Sequence, residues 1–415
     1  MKQTSFLEPQ QTERIQWEPN RASAQSRLGA FVPRAGSAYA KSRNIDYGAE
    51  RRTNVSALSP WVRHRLILEE EVLHATLSRH SMSSSEKFVQ EVFWRGYFKG
   101  WLEHRPEVWR RYRQAVSELV GQLESDASLA RRYEEAVSGK TGIACFDAWV
   151  EELLSTGYLH NHARMWFASI WIFTLKLPWE LGADFFYRNL LDGDPASNTC
   201  SWRWVGGLHT AGKTYLARAS NIERCTDGRF NPAGQLAADA PPLTEPVLPD
   251  PVLPSIEAPD LLGLRYALVI TEEDCSVESL DLVESPAAVI ALAGPTPRSV
   301  LPVSEGVNKF AVGAVRDAAT RASTHFPVDI QSVDDEDWQG VLLDLIEGQG
   351  FDAIATARLP IGPVRRRFLK AAKTLSIPLI EYARPYDRAT WPNAKRGFFG
   401  LKKKIPSILS AIELA

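Results

Sequence analysis

From Ser59 to Arg229 apolar residues recur at helical spacing. In LSPWVRHRLILEEEVLHATL they fall at 62, 66, 68, 72, 73 and 77, with Ser59 placed as an N-cap and Pro60 at the first helical position. That pattern predicts a helix over 59–77. SEKFVQEVFWRGYFKGWLEHRP repeats it and stops where Pro106 would break a helix. Further helices are expected at 107–123, 127–137, 144–156, 159–176 and 179–191, which makes this half all-α. Residues 1–50 are polar with scattered Gly and Pro and read as an irregular arm.

The pattern changes after residue 231. Residues 232–260 carry eight prolines, including the echo EPVLPDPVLP, and read as an extended, semi-rigid linker. Beyond it, β-type runs at 265–270, 287–292, 328–333, 352–357 and 378–383 alternate with helical stretches near 309–323, 337–349 and 361–375. Such alternation predicts a parallel, Rossmann-like α/β domain. The expected organisation is therefore a helical domain over 1–231, the linker, and an α/β domain over 261–415.

Composition adds three constraints. No run of 18 apolar residues occurs and the first twenty residues have no apolar signal core, so the expected location is the cytoplasm, without a membrane span. Cys145, Cys200, Cys225 and Cys275 lie far apart with no CxxC, which disfavours a disulfide framework and a ribbon-type zinc site. Charge separates by region: 30 Lys and Arg face 26 Asp and Glu over 1–230, against 18 and 24 over 231–415. A mildly basic first half suits a polyanion partner or simply a solvated surface. Of the 13 tryptophans, 11 fall in the first 230 residues, where they build a core or line a stacking pocket.

Two local patterns look chemical and have bland readings. Gly207 to Thr214 fits GxxxxGK[ST], but a phosphate-cradling loop follows a buried strand, and SWRWVG is not one. The match reads as coincidence; a P-loop NTPase would require nucleotide binding through Lys213. His160 and His162 lack a carboxylate or Cys partner at ligand spacing and read as hydrogen-bonding residues. The α/β half has no GxGxxG; Gly362-Pro363 before Arg365 to Arg367, and Lys402 to Lys404, could bind an anionic group but read first as a solvated helix face and a basic tail.

The segment 141–204 differs in quality. Asn161, Arg164, Asp192, Asp194 and Asn198 sit among aromatics, and burying so many polar groups needs mutual pairing or a polar ligand. Four blocks here resemble the photolyase/cryptochrome flavoproteins: SALSPWVR from Ser56, EVFWRGYF from Glu91, TG at Thr141 continued by GYLHNHARM from Gly157, and DGDPASNTCSWRW from Asp192. The resemblance runs from about Tyr39 to Tyr215 and implies a helical FAD-binding domain.

Carried over by position, it places Tyr39, Ser56, Leu58 and Ser59 around the FAD phosphates, Arg164 and Asp192 as a salt bridge against the flavin ring, Asp194 at its polar edge, and Asn198 at N5. Asn161 belongs to the cofactor and substrate sides alike. Glu91, Trp94, Asn161, Met165 and Trp204 match positions that receive a pyrimidine dimer flipped from DNA. Trp202 and Trp179 match the inner and middle members of an electron-transfer chain whose outer position falls near Asp126, so Trp171, Trp166 or Tyr133 would have to complete it. With Asn161 and Met165 where (6-4) photolyases carry histidines, the implied substrate is the cyclobutane dimer. The implied reaction is its blue-light-driven splitting by an electron from excited reduced FAD, in a monomer acting on UV-damaged DNA. Glu91, Asn198, Trp202 and Trp179 are the implied catalytic residues.

The order of parts departs from the family, whose α/β antenna domain comes first. RYALVITEED, GFDAIATARLPIGPVRRRFLKAA and WPNAKRGFFGLKKKIPSIL resemble parts of that domain, so a circular permutation is expected; whether an antenna chromophore (folate or deazaflavin) binds is left open. TYLAR at 214–218 replaces the family's Tyr-Phe-Arg segment. A cryptochrome-like photoreceptor that binds FAD without repairing DNA is the alternative reading.

Overall fold

The computed structural model describes residues 15–252, 255–256, 260–335 and 337–414. The first half is helical as expected: α1 (Arg21–Phe31), α2 (Ser37–Ser42), α3 (Ser59–Arg63), α4 (Glu69–Leu77), α5 (Met82–Glu103), α6 (Pro106–Ser125), α7 (Ala127–Val137), α8 (Ala144–Thr156), α9 (Asn161–Ser169), α10 (Trp179–Asn189), α11 (Trp202–Val205) and α12 (Ala219–Cys225).

Three boundaries differ from the sequence expectation. The arm is not irregular throughout, because Asn20 caps α1 by accepting from the Ser23 N–H at 2.8 Å, and Ala24, Leu28 and Phe31 bury one face. The expected helix over 59–77 is two helices. Arg65 between them has φ 52°, outside the helical region, and is held there by its guanidinium on Asp387 (2.7 and 2.8 Å) and by Ser276 Oγ on its carbonyl (2.6 Å). Tertiary charge pairing overrides helical periodicity here. Ser59 is also not the cap: Leu58 occupies that place and no side chain caps α3.

Residues 266–382 build one sheet of β1 (Tyr266–Ile270), β2 (Ala288–Leu292), β3 (Ile330–Val333), β4 (Ala353–Ala357) and β5 (Leu379–Tyr382). All pairings are parallel, in the order β3-β2-β1-β4-β5. α13 (Glu305–His325) covers one face, while α14 (Trp338–Ile346) and α15 (Pro363–Ala372) cover the other. The fold class is thus an all-α part followed by a parallel α/β part.

The carboxyl ends of the strands face the helical half. Open parallel sheets usually bind ligands where the strand order reverses, here between β1 and β4. In this chain α5 fills that crevice: Glu103 accepts from the Ile361 N–H at 2.6 Å and pairs with Arg358 at 3.3 Å, leaving a cavity of about 10 Å³. The Pro-rich segment is tacked along the helices by Leu243 N–H to Gly206 (2.9 Å), Arg111 to the Pro246 carbonyl (2.8 Å) and Val252 N–H to His104 (3.0 Å).

The last helices, α16 (Pro385–Thr390), α17 (Phe398–Lys402) and α18 (Ile405–Ala411), pack with the helical half. Tyr386, Phe398, Leu401, Ile405 and Ile408 share one buried cluster with Phe93, Tyr97 and Trp101. Gly96 and Gly100 make room on α5: a Cβ on Gly96 would lie 2.7 Å from the Tyr386 hydroxyl, and one on Gly100 2.8 Å from the Trp391 Cα.

Beside this seam Glu70 is half-buried next to Glu69, and desolvation pushes its carboxyl up to about 7. A raised carboxyl gives stability that is complete below its unfolded value near 4.5 and is lost as pH rises through 7. Glu70→Gln is therefore expected to match the parent in urea unfolding at pH 4 and to be the more stable chain above pH 7, by about 1–3 kcal/mol.

Candidate functional site

Three elements bring an ionic cluster together. α5 carries Glu91, Arg95 and Lys99 at four-residue spacing, so all three leave from one stripe. α9 supplies Arg164, and the segment after α10 supplies Asp192, Asp194 and Asn198. Arg164 donates to Asp192 Oδ2 at 2.8 Å, and the Arg95 guanidinium lies 3.6 Å from the same oxygen while pairing with Asp194.

Local turn chemistry places Asn198. Asp194 caps a wide helical turn over Pro195–Cys200, accepting from Ala196 N–H at 2.7 Å, Ser197 N–H at 2.6 Å and the Ser197 hydroxyl at 2.7 Å. Such wide turns recur at functional sites. With its amide turned so that donor meets acceptor, Asn198 donates to the Asp192 carbonyl at 3.0 Å and accepts from Arg164 at 2.5 Å. Asp192, Arg164 and Asn198 thus interlock.

Burial by itself would raise both carboxyls. Arg164 and Arg95 around Asp192, and Arg95, Lys99 and Arg63 around Asp194, instead hold them below the ordinary carboxylate range. The pair remains ionised in a buried setting, which is costly unless both charges are well partnered.

The remaining sequence-predicted residues spread around this cluster. Tyr39 is buried, its ring edge-on to Phe31 and Phe88, and the Ser56 carbonyl accepts from Arg27 at 2.7 Å. Leu58 is buried, and the Ser59 hydroxyl lies near the Asp192 carboxylate without a hydrogen bond to its Oδ1. Glu91 is not free: it pairs with Arg43 at 2.5 Å, and burial raises its carboxyl against that pairing. Asn161 is exposed at the start of α9, Met165 is half-buried one turn on, and Trp204 stacks on Tyr215 at 5.5 Å.

The aromatic residues named from the sequence have ring partners of their own. Trp94 is already stacked, with the Phe398 ring 3.7 Å away at 13°. Trp202 lies edge-on to Trp171 at 6.3 Å, and Trp171 lies 6.2 Å from Tyr133, whereas the ring contact of Trp179 is with Tyr112. Gly182 permits the Trp202–Trp171 approach, since a Cβ there would fall 2.5 Å from the Trp202 ring.

The residues of the other motifs have structural partners of their own. Helix α11, not a strand, precedes the GxxxxGK[ST] match, and the Thr214 hydroxyl is spent on the Ala240 carbonyl at 2.9 Å. His160 caps α9 by accepting from His162 N–H at 3.1 Å, and burial lowers it to about 4, so it is neutral. Among the described residues no His, Cys, Asp and Glu group could hold a metal ion. All four cysteines are free and buried.

Sequence reasoning did not single out Arg43, Arg95 and Lys99. For Arg95 and Lys99 the signal was their four-residue spacing from Glu91, in a marked block and just beyond it; Arg43 had no such signal.

The donor set suits a flavin. Arg164, Arg95 and the Asn198 amide present donors, and Asp192 Oδ1 is buried without a hydrogen bond. A buried acceptor left so costs about 1–3 kcal/mol, and the ring N–H of an isoalloxazine is a donor of the right kind.

The comparisons agree with this chemistry. Residues 88–237 match the family described as the FAD binding domain of DNA photolyase. A deoxyribodipyrimidine photo-lyase from Agrobacterium fabrum is 32% identical over 194 residues, 46% of this chain and 39% of that protein. A chloroplastic/mitochondrial cryptochrome DASH from Oryza sativa subsp. japonica is 28% identical over 177 residues, 41% of this chain and 29% of that protein. Among solved structures, a bacterial class III photolyase from Agrobacterium tumefaciens covers 50% of this chain and 43% of its own at 28% identity, with a TM-score of 0.41. Within the helical half, residues 88–237 are thus similar to an FAD-binding domain of photolyase type. Over that part the chain resembles the photolyase/cryptochrome family. The chain spans less than half the length of these relatives.

Proposed function

We propose that this chain uses FAD to reverse cyclobutane pyrimidine dimers in DNA under blue light. The observation that carries the reading is the interlocked Arg164–Asp192–Asn198 cluster, an ionised pair with one unpartnered acceptor in the block that matches the photolyase family. Arg164, Asp192, Asp194, Asn198 and Asn161 would hold the flavin ring, and Tyr39, Ser56, Leu58 and Ser59 the phosphate side. Bound in its reduced form, FAD supplies the light-excited electron.

The chain's own residues supply position and charge. Asn198 orients Arg164, which keeps positive charge beside the ring. Burial raises the Glu91 carboxyl, so that, released from Arg43, it is the group on this rim able to hand a proton or hydrogen bond to a pyrimidine carbonyl. Trp204, Met165 and the uncovered part of Trp94 would line the dimer side. Trp202 and Trp171 with Tyr133 form the contiguous ring path outward, taking the place assigned to Trp179.

We assign residues 261–384 to a permuted antenna-like domain, joined to the helical part by 232–260, with 385–414 completing the helical core. Among the described helices none is long and apolar enough to cross a membrane. A monomer in the cytoplasm is the working assignment.

A second reading is a photoreceptor that binds FAD without repair, favoured by the Phe398 ring lying on Trp94. The discriminating experiment follows one thymine dimer in an oligonucleotide with reduced protein, in blue light and in the dark. Light-dependent reversal is expected. Intact dimer alongside light-responsive bound flavin would hand the assignment to the photoreceptor. In the same oligonucleotide, Trp204→Ala is expected to weaken lesion binding by about 1–3 kcal/mol as its stacking surface is removed, measured by fluorescence titration.

A further inference from the structure

The helix α17 and its flanks combine an anchored side with an outward basic side. Of the ten residues 395–404, Lys395, Arg396, Lys402, Lys403 and Lys404 are basic and none is acidic. Phe398, Leu401 and Ile405 are buried in the helical core, which fixes the direction of the rest. Phe399 then points outward, 76% exposed, the one aromatic among the exposed large apolar side chains of the described residues. Lys395, Arg396, Lys403 and Lys404 are exposed and make no ion pair among the described residues, while Lys402 is tied to Glu86 at 3.0 Å. The other acid on this side of α5, Glu91, is taken by Arg43. Arg105 holds the Lys395 carbonyl at 2.7 Å, fixing the approach to the helix.

Position gives the patch its meaning. Phe398, the neighbour of the exposed Phe399, lies flat on Trp94, one of the rings that the proposed function puts on the dimer side. A rigid aromatic flanked by unpaired cations is the arrangement that grips a polynucleotide strand: the ring stacks on a base and the cations neutralise phosphates. We propose that residues 395–404 form a DNA-binding lip beside the candidate site, with Phe399 as a base-stacking platform and Lys395, Arg396, Lys403 and Lys404 as phosphate-neutralising groups. The proposal rests on the reading that DNA is the substrate, and it assigns part of the strand grip to a segment outside the matched family block.

The test uses the full chain and an undamaged single-stranded oligonucleotide, titrated over a range of salt concentrations. Lys403→Ala/Lys404→Ala is expected to weaken binding and to flatten the plot of log affinity against log salt by about 1.4, that is, about 0.7 for each phosphate no longer neutralised. Phe399→Ala is expected to cost about tenfold in affinity at an unchanged slope. These side chains are exposed, so a retained circular dichroism spectrum and flavin content show that the fold is intact. Variants with the parent's affinity and slope would overturn the lip. Loss of binding to anionic phosphatidylserine vesicles, with DNA binding intact, would equally overturn it in favour of a lipid surface. Salt-sensitive DNA binding that the variants weaken, in a chain that reverses no dimer, would retain the lip and reject the repair reading.

Discussion

Asp192→Ala is expected to emerge from purification with most of its flavin gone, at least a hundredfold weaker in FAD affinity than the parent. Asp192 is 1% exposed and takes one guanidinium directly, Arg164 at 2.8 Å, with Arg95 at 3.6 Å. Arg95 keeps Asp194 when the carboxylate is removed, but Arg164 is left without an anionic partner, with the Leu159 carbonyl at 2.9 Å, the Asn198 oxygen and the Tyr158 ring face at 5.1 Å. Leaving a buried charge without its partner costs about 3–5 kcal/mol, and this one would sit against the ring that it is proposed to hold. Asp192→Asn separates charge from shape, because it retains a side-chain acceptor for Arg164. The alanine variant should lose flavin by absorbance after gel filtration while retaining its helical circular dichroism, with the asparagine variant between it and the parent. Full occupancy in both would remove Asp192 from the cofactor site.

The strands were legible because buried parallel strands write short apolar runs between turn residues, and each of the five ran within one or two residues of its expected bounds. Long amphipathic helices such as α5 to α8 were equally plain. What stayed hidden depended on contacts distant in sequence. Nothing near Arg65 announces φ 52°; the break comes from Asp387 and Ser276, more than 200 residues away. The same holds for Phe398 on Trp94 and for α16 to α18 joining the helical core, since local periodicity does not say which of two cores an apolar face will meet. For the site, residue types and block spacing named Arg164, Asp192 and Asn198, which the fold interlocks. They gave no partner to Glu91, which Arg43 occupies, and they offered Trp171 and Tyr133 without choosing between them and Trp166, because the Trp202–Trp171 approach depends on Gly182 having no side chain.

The way the two halves join leads to the second large effect. Arg63 is 1% exposed and spans the junction: two guanidinium nitrogens donate to Glu273 at 2.8 Å each, and Nε donates to the Gly193 carbonyl at 2.8 Å. Gly193 lies between Asp192 and Asp194, so one side chain fastens the end of β1 to the loop that carries the candidate flavin ligands. Around it Glu272, Arg298, Arg65, Asp274, Arg384 and Asp387 extend a network of buried charge, and His64, held neutral by burial and by Arg63, lies against the Glu272 carbonyl at 2.7 Å. Arg65 and Arg384 are kept charged by their carboxylates despite burial, and together they hold Asp274 down at about 2. Arg63→Ala is expected to destabilise the chain by about 3–5 kcal/mol in urea unfolding, because Glu273 becomes a buried carboxylate with its main partner gone. It should also loosen the 192–194 loop and lower flavin occupancy. Glu273→Gln tests the same pairing from the other side, and Arg63→Met/Glu273→Leu tests its meaning: an apolar pair of similar volume should recover most of the stability, since well-packed replacements of buried ion pairs are often neutral or better. If stability returns and flavin does not, Arg63 acts on the site through Gly193; if both return, the pair serves only to join the halves. An Arg63→Ala chain as stable as the parent would show that the charged junction does not hold the two halves together.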